Sequence, residues 1–161
     1  MIKAIKIICG FIFLMMVSSC KKEYTYNVND VKVEQPGKGK SNVKSTTEFI
    51  SIAYSDLFTT TIPNDSLLSI NQAYQSFGDK KLIEDRIIRH LLNRSDILIP
   101  TNQEMRANIP AFVTQAMQKL FNRNPDAFEN YFITNIIQSD ITITPVVVYY
   151  ALMTSNEYRY Y

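Results

Sequence analysis

The sequence predicts an all-α fold, a small bundle of about six or seven helices from two similar helical units, behind an N-terminal export segment and a polar tether. Three observations carry this. From Phe49 onward apolar residues recur at three- and four-residue spacing, which gathers them on one face of a helix. Ser45-Thr46-Thr47-Glu48 and Thr101-Asn102-Gln103-Glu104 each set a hydroxyl three residues before a glutamate, so that the two side chains answer the free amides of a helix start. Residues 49–98 and 112–158 can also be laid over one another.

Residues 1–19 read as a signal peptide. Lys3 and Lys6 give a positive start, Ile7 to Val17 an apolar run, and Ser18 and Ser19 a small-residue end. The run is too short for a bilayer, which takes about 20 apolar residues. Its removal takes away Lys3, Lys6 and Cys9, leaving a working chain with 15 basic and 15 acidic residues and Cys20 as its single cysteine, so no internal disulfide is expected.

Residues 20–44 are expected to form a flexible basic tether. They hold six lysines against Glu23, Asp30 and Glu34, and Pro36-Gly37-Lys38-Gly39-Lys40-Ser41-Asn42 has too little apolar surface to offset its ordering entropy. The lysines suit anionic lipid headgroups, each favoured by about 1 kcal/mol near such a surface. They lack the aromatic or glycine-rich accompaniment of a nucleic-acid site, and no nucleic-acid partner is expected. Tyr24, Tyr26, Val28, Val31 and Val33 alternate like a short strand that would lack a partner.

Residues 45–161 are expected to form the helical domain, in units of about 45–100 and 101–161. The first helix carries Phe49, Ile50, Ala53, Tyr54, Leu57 and Phe58, and Thr59 to Pro63 break it. The second, capped by Asn64 or Asp65, carries Leu67, Leu68, Ile70, Ala73, Tyr74 and Phe77 and ends at Gly78. The third starts near Asp79 with Leu82, Ile83, Ile87, Leu91 and Leu92 inward. Ile97-Leu98-Ile99-Pro100 is an extended connector. A short helix from Thr101 to about Asn108 follows, and Pro110 suits the first turn of a helix with Phe112, Val113, Ala116, Met117, Leu120 and Phe121. Asn124-Pro125 opens another with Phe128, Tyr131, Phe132 and Ile136. Thr144-Pro145 starts the last; Val146 to Tyr150 favour a strand by propensity, but the cap and the repeat favour helix. In the repeat Phe49 faces Phe112, Leu57-Phe58 faces Leu120-Phe121, Pro63 faces Pro125, and Leu92 to Asp96 fall on Leu152 to Asn156.

Val17-Ser18-Ser19-Cys20 resembles, position by position, the end of the bacterial lipoprotein signal. The resemblance implies cleavage between Ser19 and Cys20, a diacylglyceryl thioether on Cys20, and a further acyl chain, such as palmitate, on its new amino group. Two or three chains anchor firmly where one holds marginally. Lys21, which is not acidic, agrees with sorting to the outer membrane. The second half resembles a short all-helical bacterial repeat of unknown function in its aromatic Phe112, the Leu120-Phe121 pair, the Arg123-Asn124-Pro125-Asp126 turn, Tyr131-Phe132, and the closing Ser155-Asn156-Glu157-Tyr158. That ending is also similar to phycobilisome linker domains. The first half departs from the pattern at Thr61 to Asp65, which lacks the arginine, and at Ile97-Leu98. The resemblance implies a module of extracytoplasmic proteins and no catalytic residue.

Elsewhere the residues point to structure before chemistry. His90 is the single histidine, without the second histidine or free cysteine of a zinc site, and reads as a partly buried helical residue. Glu84-Asp85 and Asp126-Glu129 have the residue types of a glycosidase pair but read as charges at helix starts. Ser66 and Ser155 lack a nucleophile elbow. Of the tail tyrosines most are expected to finish the core, with Tyr158, Arg159, Tyr160 and Tyr161 forming a partner-docking end. The expectation is a non-enzymatic envelope lipoprotein, with no cofactor beyond its covalent lipid, that binds the bilayer through Cys20 and scaffolds an envelope protein partner. The alternative is a small molecule or glycan bound between the helices.

Overall fold

Ser45 opens the first helix as its context dictates: its hydroxyl accepts from the Glu48 amide at 3.3 Å, and the Glu48 carboxylate accepts from the Ser45 N–H at 2.7 Å. The computed structural model describes residues 42–160, so the signal segment, Cys20, the tether up to Ser41 and Tyr161 lie outside the described residues. Within them run α1 (Thr46–Phe58), α2 (Asn64–Ser76), α3 (Lys80–Leu92), α4 (Asn102–Ala107), α5 (Ile109–Phe121), α6 (Ala127–Ser139) and α7 (Pro145–Met153), then a 3₁₀ turn, Glu157–Arg159. The fold is all-α, and among the described residues β pairing amounts to one antiparallel bridge, Val43 with Tyr160.

Side-chain caps open every helix except α2, whose N-cap is Pro63 with no side-chain bond, since Asn64 and Asp65, expected to cap it, already lie within the helix. Asp79, Thr101, Asn108, Asp126 and Thr144 each accept from an amide one turn into the helix that follows. Pro110 and Pro145 sit in first turns, where a missing N–H leaves nothing unsatisfied. Helix α2 ends at Ser76, before Gly78, because Lys80 donates to the Tyr74 carbonyl at 2.9 Å and the Phe77 carbonyl at 2.8 Å. At the end of α6, Arg106 plays the same part. It donates to the Ile137 carbonyl and to those of Asp140 at 2.9 Å and Ile143 at 2.8 Å.

The two helical units correspond closely in their leading helices. Helix α1 buries Phe49, Ile50, Ala53, Tyr54, Leu57 and Phe58, and α5 buries Phe112, Val113, Ala116, Met117, Leu120 and Phe121, the same six positions of a 13-residue helix. Burying a large apolar side chain contributes about 1.5–3 kcal/mol, so these two faces form the centre of the core. Both helices close on a left-handed residue, Thr59 (φ 53°) and Asn122 (φ 55°), which are the non-glycine residues of positive φ among the described residues. Tyr74 of α2 and Ile137 of α6 are buried at matching positions as well. In the third helices the structure moves the pairing by one residue. Leu92 corresponds to buried Met153 and not to Leu152, because Asn93 and Thr154 are the matching C-caps.

Packing places α1 against α2 and α3, α5 against α4, α6, α7 and the 3₁₀ turn, and α3 against α7. Several sequence-level faces are corrected here. Leu82 is exposed and Ile88 is buried instead, since the α3 stripe runs through Ile83, Ile87, Ile88, Leu91 and Leu92. His90 is exposed, because its flanking neighbours on α3 take the inner face. Leu68 and Phe77 face outward and α2 buries Tyr74 alone. Glu84 and Asp85 lie inside α3, whose start is capped by Asp79, so helix-start charge does not explain them.

Candidate functional site

The expected docking end is largely built into the core. Tyr158 is fully buried, its ring edge-on to Phe49 at 5.9 Å and tilted to Phe121 at 6.5 Å. Its hydroxyl donates to Asp56 at 2.7 Å, and its carbonyl accepts from the buried Lys44 ammonium at 2.6 Å. Burial raises the Asp56 carboxyl above its usual range and pushes Tyr158 well above its own, while Tyr149 nearby is pushed up to about 12. Arg159 pairs with Glu84 at 2.6 Å and lies over the Phe49 ring at 4.7 Å. Tyr160 bridges to Val43, and the Lys44 N–H donates to the Arg159 carbonyl at 2.9 Å. Of the residues expected to dock a partner, Tyr158 is therefore a core residue and Arg159 a bridging one. Val43 and Lys44, expected in the tether, are fixed to the domain.

The turn residues of the second unit also converge on structure. Arg123 pairs with Glu129 at 2.7 Å and with Glu157 at 2.6 Å, joining the end of α5 to the start of α6 and to the 3₁₀ turn. The Arg123 hydrogen bonds hold the Glu129 carboxyl below the usual carboxylate range. Asp126 and Glu129 stand at a helix start, as the sequence implies, and there form a reciprocal capping box.

The structure turns outward the apolar residues by which the sequence marks α6, leaving Ile137 as its buried apolar residue. Phe128, Tyr131, Phe132 and Ile136 are 71%, 68%, 52% and 41% exposed, and the rings of Phe128 and Phe132 stack 5.8 Å apart at 14°. Their spacing of three, four and eight residues makes one continuous stripe. Taking roughly 200 Å² for an aromatic side chain, the three rings alone show solvent about 380 Å², the size of a functional patch on a monomer. The stripe is also uncharged. The acidic residues of α6 and its ends are Glu129, engaged by Arg123, and the flanking Asp126 and Asp140.

The first unit provides an internal reference. The α2 positions that correspond to Phe128, Phe132 and Ile136 hold Asp65, Ser69 and Ala73, all exposed, while the Tyr131 position holds Leu68, an exposed apolar residue in both units. The fold therefore works with polar or small residues at the first three, and bulk at those positions of α6 is not a requirement of packing. The register read from the sequence, with Pro63 on Pro125, sets Ser66, Ile70 and Tyr74 there instead, so the contrast emerges only when the helix starts Asn64 and Ala127 are matched.

Among the described residues no group of three or more histidine, cysteine, aspartate or glutamate side chains is placed to hold a metal ion, and no helix is long and apolar enough to cross a membrane. Comparison with protein-family models, curated proteins and solved structures finds no match for this chain.

Proposed function

We propose that this chain is a lipid-anchored protein of the bacterial envelope, held at the outer membrane through Cys20, whose helical domain is a non-enzymatic docking module. The observation that supports the docking role is the exposed Phe128-Tyr131-Phe132-Ile136 stripe. An uncharged aromatic stripe suits the centre of a protein interface, where charged residues are depleted and rings supply most of the affinity. The partner this favours is a different protein that presents an apolar helix or strand edge. The anchor rests on the Val17-Ser18-Ser19-Cys20 resemblance and is a separate part of the reading.

Two variants separate these parts. Recovery of complexes from solubilised envelopes with the full chain is expected to yield one stoichiometric protein. The double variant Phe128→Ser, Phe132→Ser is expected to lose that protein while staying folded and membrane-bound. Cys20→Ser is expected to release the chain from the membrane fraction. A double variant that retains the partner contradicts the docking surface; a Cys20→Ser chain that stays with the membrane contradicts the anchor.

A further inference from the structure

Asp56 and Lys119 hold the same position in the two leading helices: Thr46 to Asp56 in α1 and Ile109 to Lys119 in α5 are equal steps from the helix start. One unit carries an acid there and the other a base, and the fold brings both to one open cleft of about 340 Å³. Its accessible walls are Ile52 and Asp56 of α1, Lys119 and the C-cap Asn122 of α5, and Tyr160. Asn122 and Tyr160 are exposed and the other three half-buried, so a solute in the cleft reaches each of them.

The two charges are near without being paired. Each acts on the titration of the other, yet no ion pair links them among the described residues. Burial outweighs their attraction on both sides, raising the Asp56 carboxyl above its usual range and lowering the Lys119 ammonium below its own. Both also keep bonding capacity. Asp56 accepts from the Tyr158 hydroxyl through Oδ2 at 2.7 Å, and its Oδ1 has no hydrogen-bond partner among the described residues. Lys119 donates to the Leu98 carbonyl at 3.1 Å, which leaves an ammonium with further donors. The third charge of the lining, Lys44, is buried and engaged within the fold, where it donates to the Tyr158 carbonyl at 2.6 Å. Half-buried opposite charges that do not meet leave room for a group that pairs with each.

We infer that this cleft binds the zwitterion of a free α-amino acid. The ligand ammonium donates to Asp56 Oδ1, and its carboxylate accepts from Lys119, with the Asn122 amide and the Tyr160 hydroxyl as further donors at the rim. The ligand side chain rests against Ile52 and the Tyr160 ring. The lining itself sets this preference. A simple anion that answers Lys119 meets the Asp56 carboxylate, and a simple cation that answers Asp56 meets Lys119. A neutral diol leaves both charges without a counter-charge. An α-amino acid carries its two opposite charges on one carbon and pairs both at once. The volume stands at the small end of ligand sites, which suits a molecule of this size.

The test is an NMR titration of the full chain in a non-ionic detergent with three probes: L-alanine, N-acetyl-L-alanine, which lacks the ammonium, and L-alaninamide, which lacks the carboxylate. L-alanine is expected to shift the backbone amide resonances of Asp56, Lys119 and Asn122 saturably. Each derivative is expected to bind about tenfold more weakly or worse, as the loss of one hydrogen bond between charged groups implies. Two variants assign the ends. Asp56→Asn, which keeps an acceptor for Tyr158, is expected to bring L-alanine down to the affinity of N-acetyl-L-alanine. Lys119→Met is expected to bring it down to that of L-alaninamide. If either variant perturbs the spectrum beyond the cleft, the three probes on the unaltered chain decide alone. Equal binding of the three probes, no saturable shift at these residues, or well-folded variants that bind L-alanine as before overturns the proposal. So does methyl glucoside, a neutral diol, binding as tightly as L-alanine. The cleft shares no residue with the α6 stripe, so these results leave the docking surface to its own test.

Discussion

Asp56 carries its carboxylate where burial penalises charge, with the Tyr158 hydroxyl donating to it and Lys44 and Lys119 nearby. Burial outweighs these favourable neighbours and raises the carboxyl above its ordinary 3.8. A raised acid contributes stability that is complete below the unfolded value and is lost as pH rises through the folded value. Asp56→Asn keeps an acceptor for Tyr158 and removes the titration. In urea unfolding across pH, wild type is therefore expected to match or exceed Asp56→Asn at pH 3.5 and to fall behind it as pH climbs past about 4. Glu129 has the opposite sign. Held low by Arg123, it contributes above its ordinary 4.5 and loses that contribution as pH falls below it. Comparing Asp56→Asn with wild type cancels the Glu129 effect, which both chains share. A difference that stays flat across this range contradicts the burial of the Asp56 charge.

Among the elements, α6 is closed at both ends by arginines, one local and one distant in sequence. Its carboxy end is closed by Arg106 from α4, whose guanidinium takes three carbonyls of the α6–α7 junction, and its amino end by Arg123 from the turn after α5. Arg106→Ala strips those carbonyls together and is expected to cost about 2 kcal/mol in unfolding, with amide exchange rising first at the end of α6. Exchange that rises uniformly would mean Arg106 does not act at that junction. Both arginines show what one sequence does and does not tell. Local devices are legible: the capping boxes at Ser45 and Thr101, the helix-start charges Asp126 and Glu129, and the prolines of first turns involve residues within one helical turn. Glu84 and Asp85 were misread as helix-start charges because their partners, Arg159 and Tyr150, come from the far end of the chain. Helix faces failed where apolar residues covered more than half of the circumference. On α2 and α6 spacing alone could not tell the stripe around Tyr74 and Ile137 from the one around Leu68 and Phe132.

For the whole molecule the paired construction matters most, because each unit is a reference for the other. The six buried positions shared by α1 and α5, with the left-handed closures at Thr59 and Asn122, show what the fold requires of these two helices. Departures from that requirement are where function is to be sought. The aromatic stripe of α6 is one departure; the opposite charges at the matching positions Asp56 and Lys119, which line one cleft, are another. Tyr158 shows the limit of reading a tail from its composition. An aromatic terminus resembles an interface until Lys44, Asp56 and Phe49 are seen to enclose it.

The comparison between units also supplies the most direct measurement. A photoreactive phenylalanine analogue placed at Phe132, and in a second chain at the corresponding exposed Ser69, is irradiated in intact envelopes. The expected result is one adduct of defined mass from position 132, carrying a protein other than this chain, and none from position 69. No adduct at 132, equal adducts at both positions, or an adduct made only with a second copy would contradict the α6 face as the surface that receives a distinct partner.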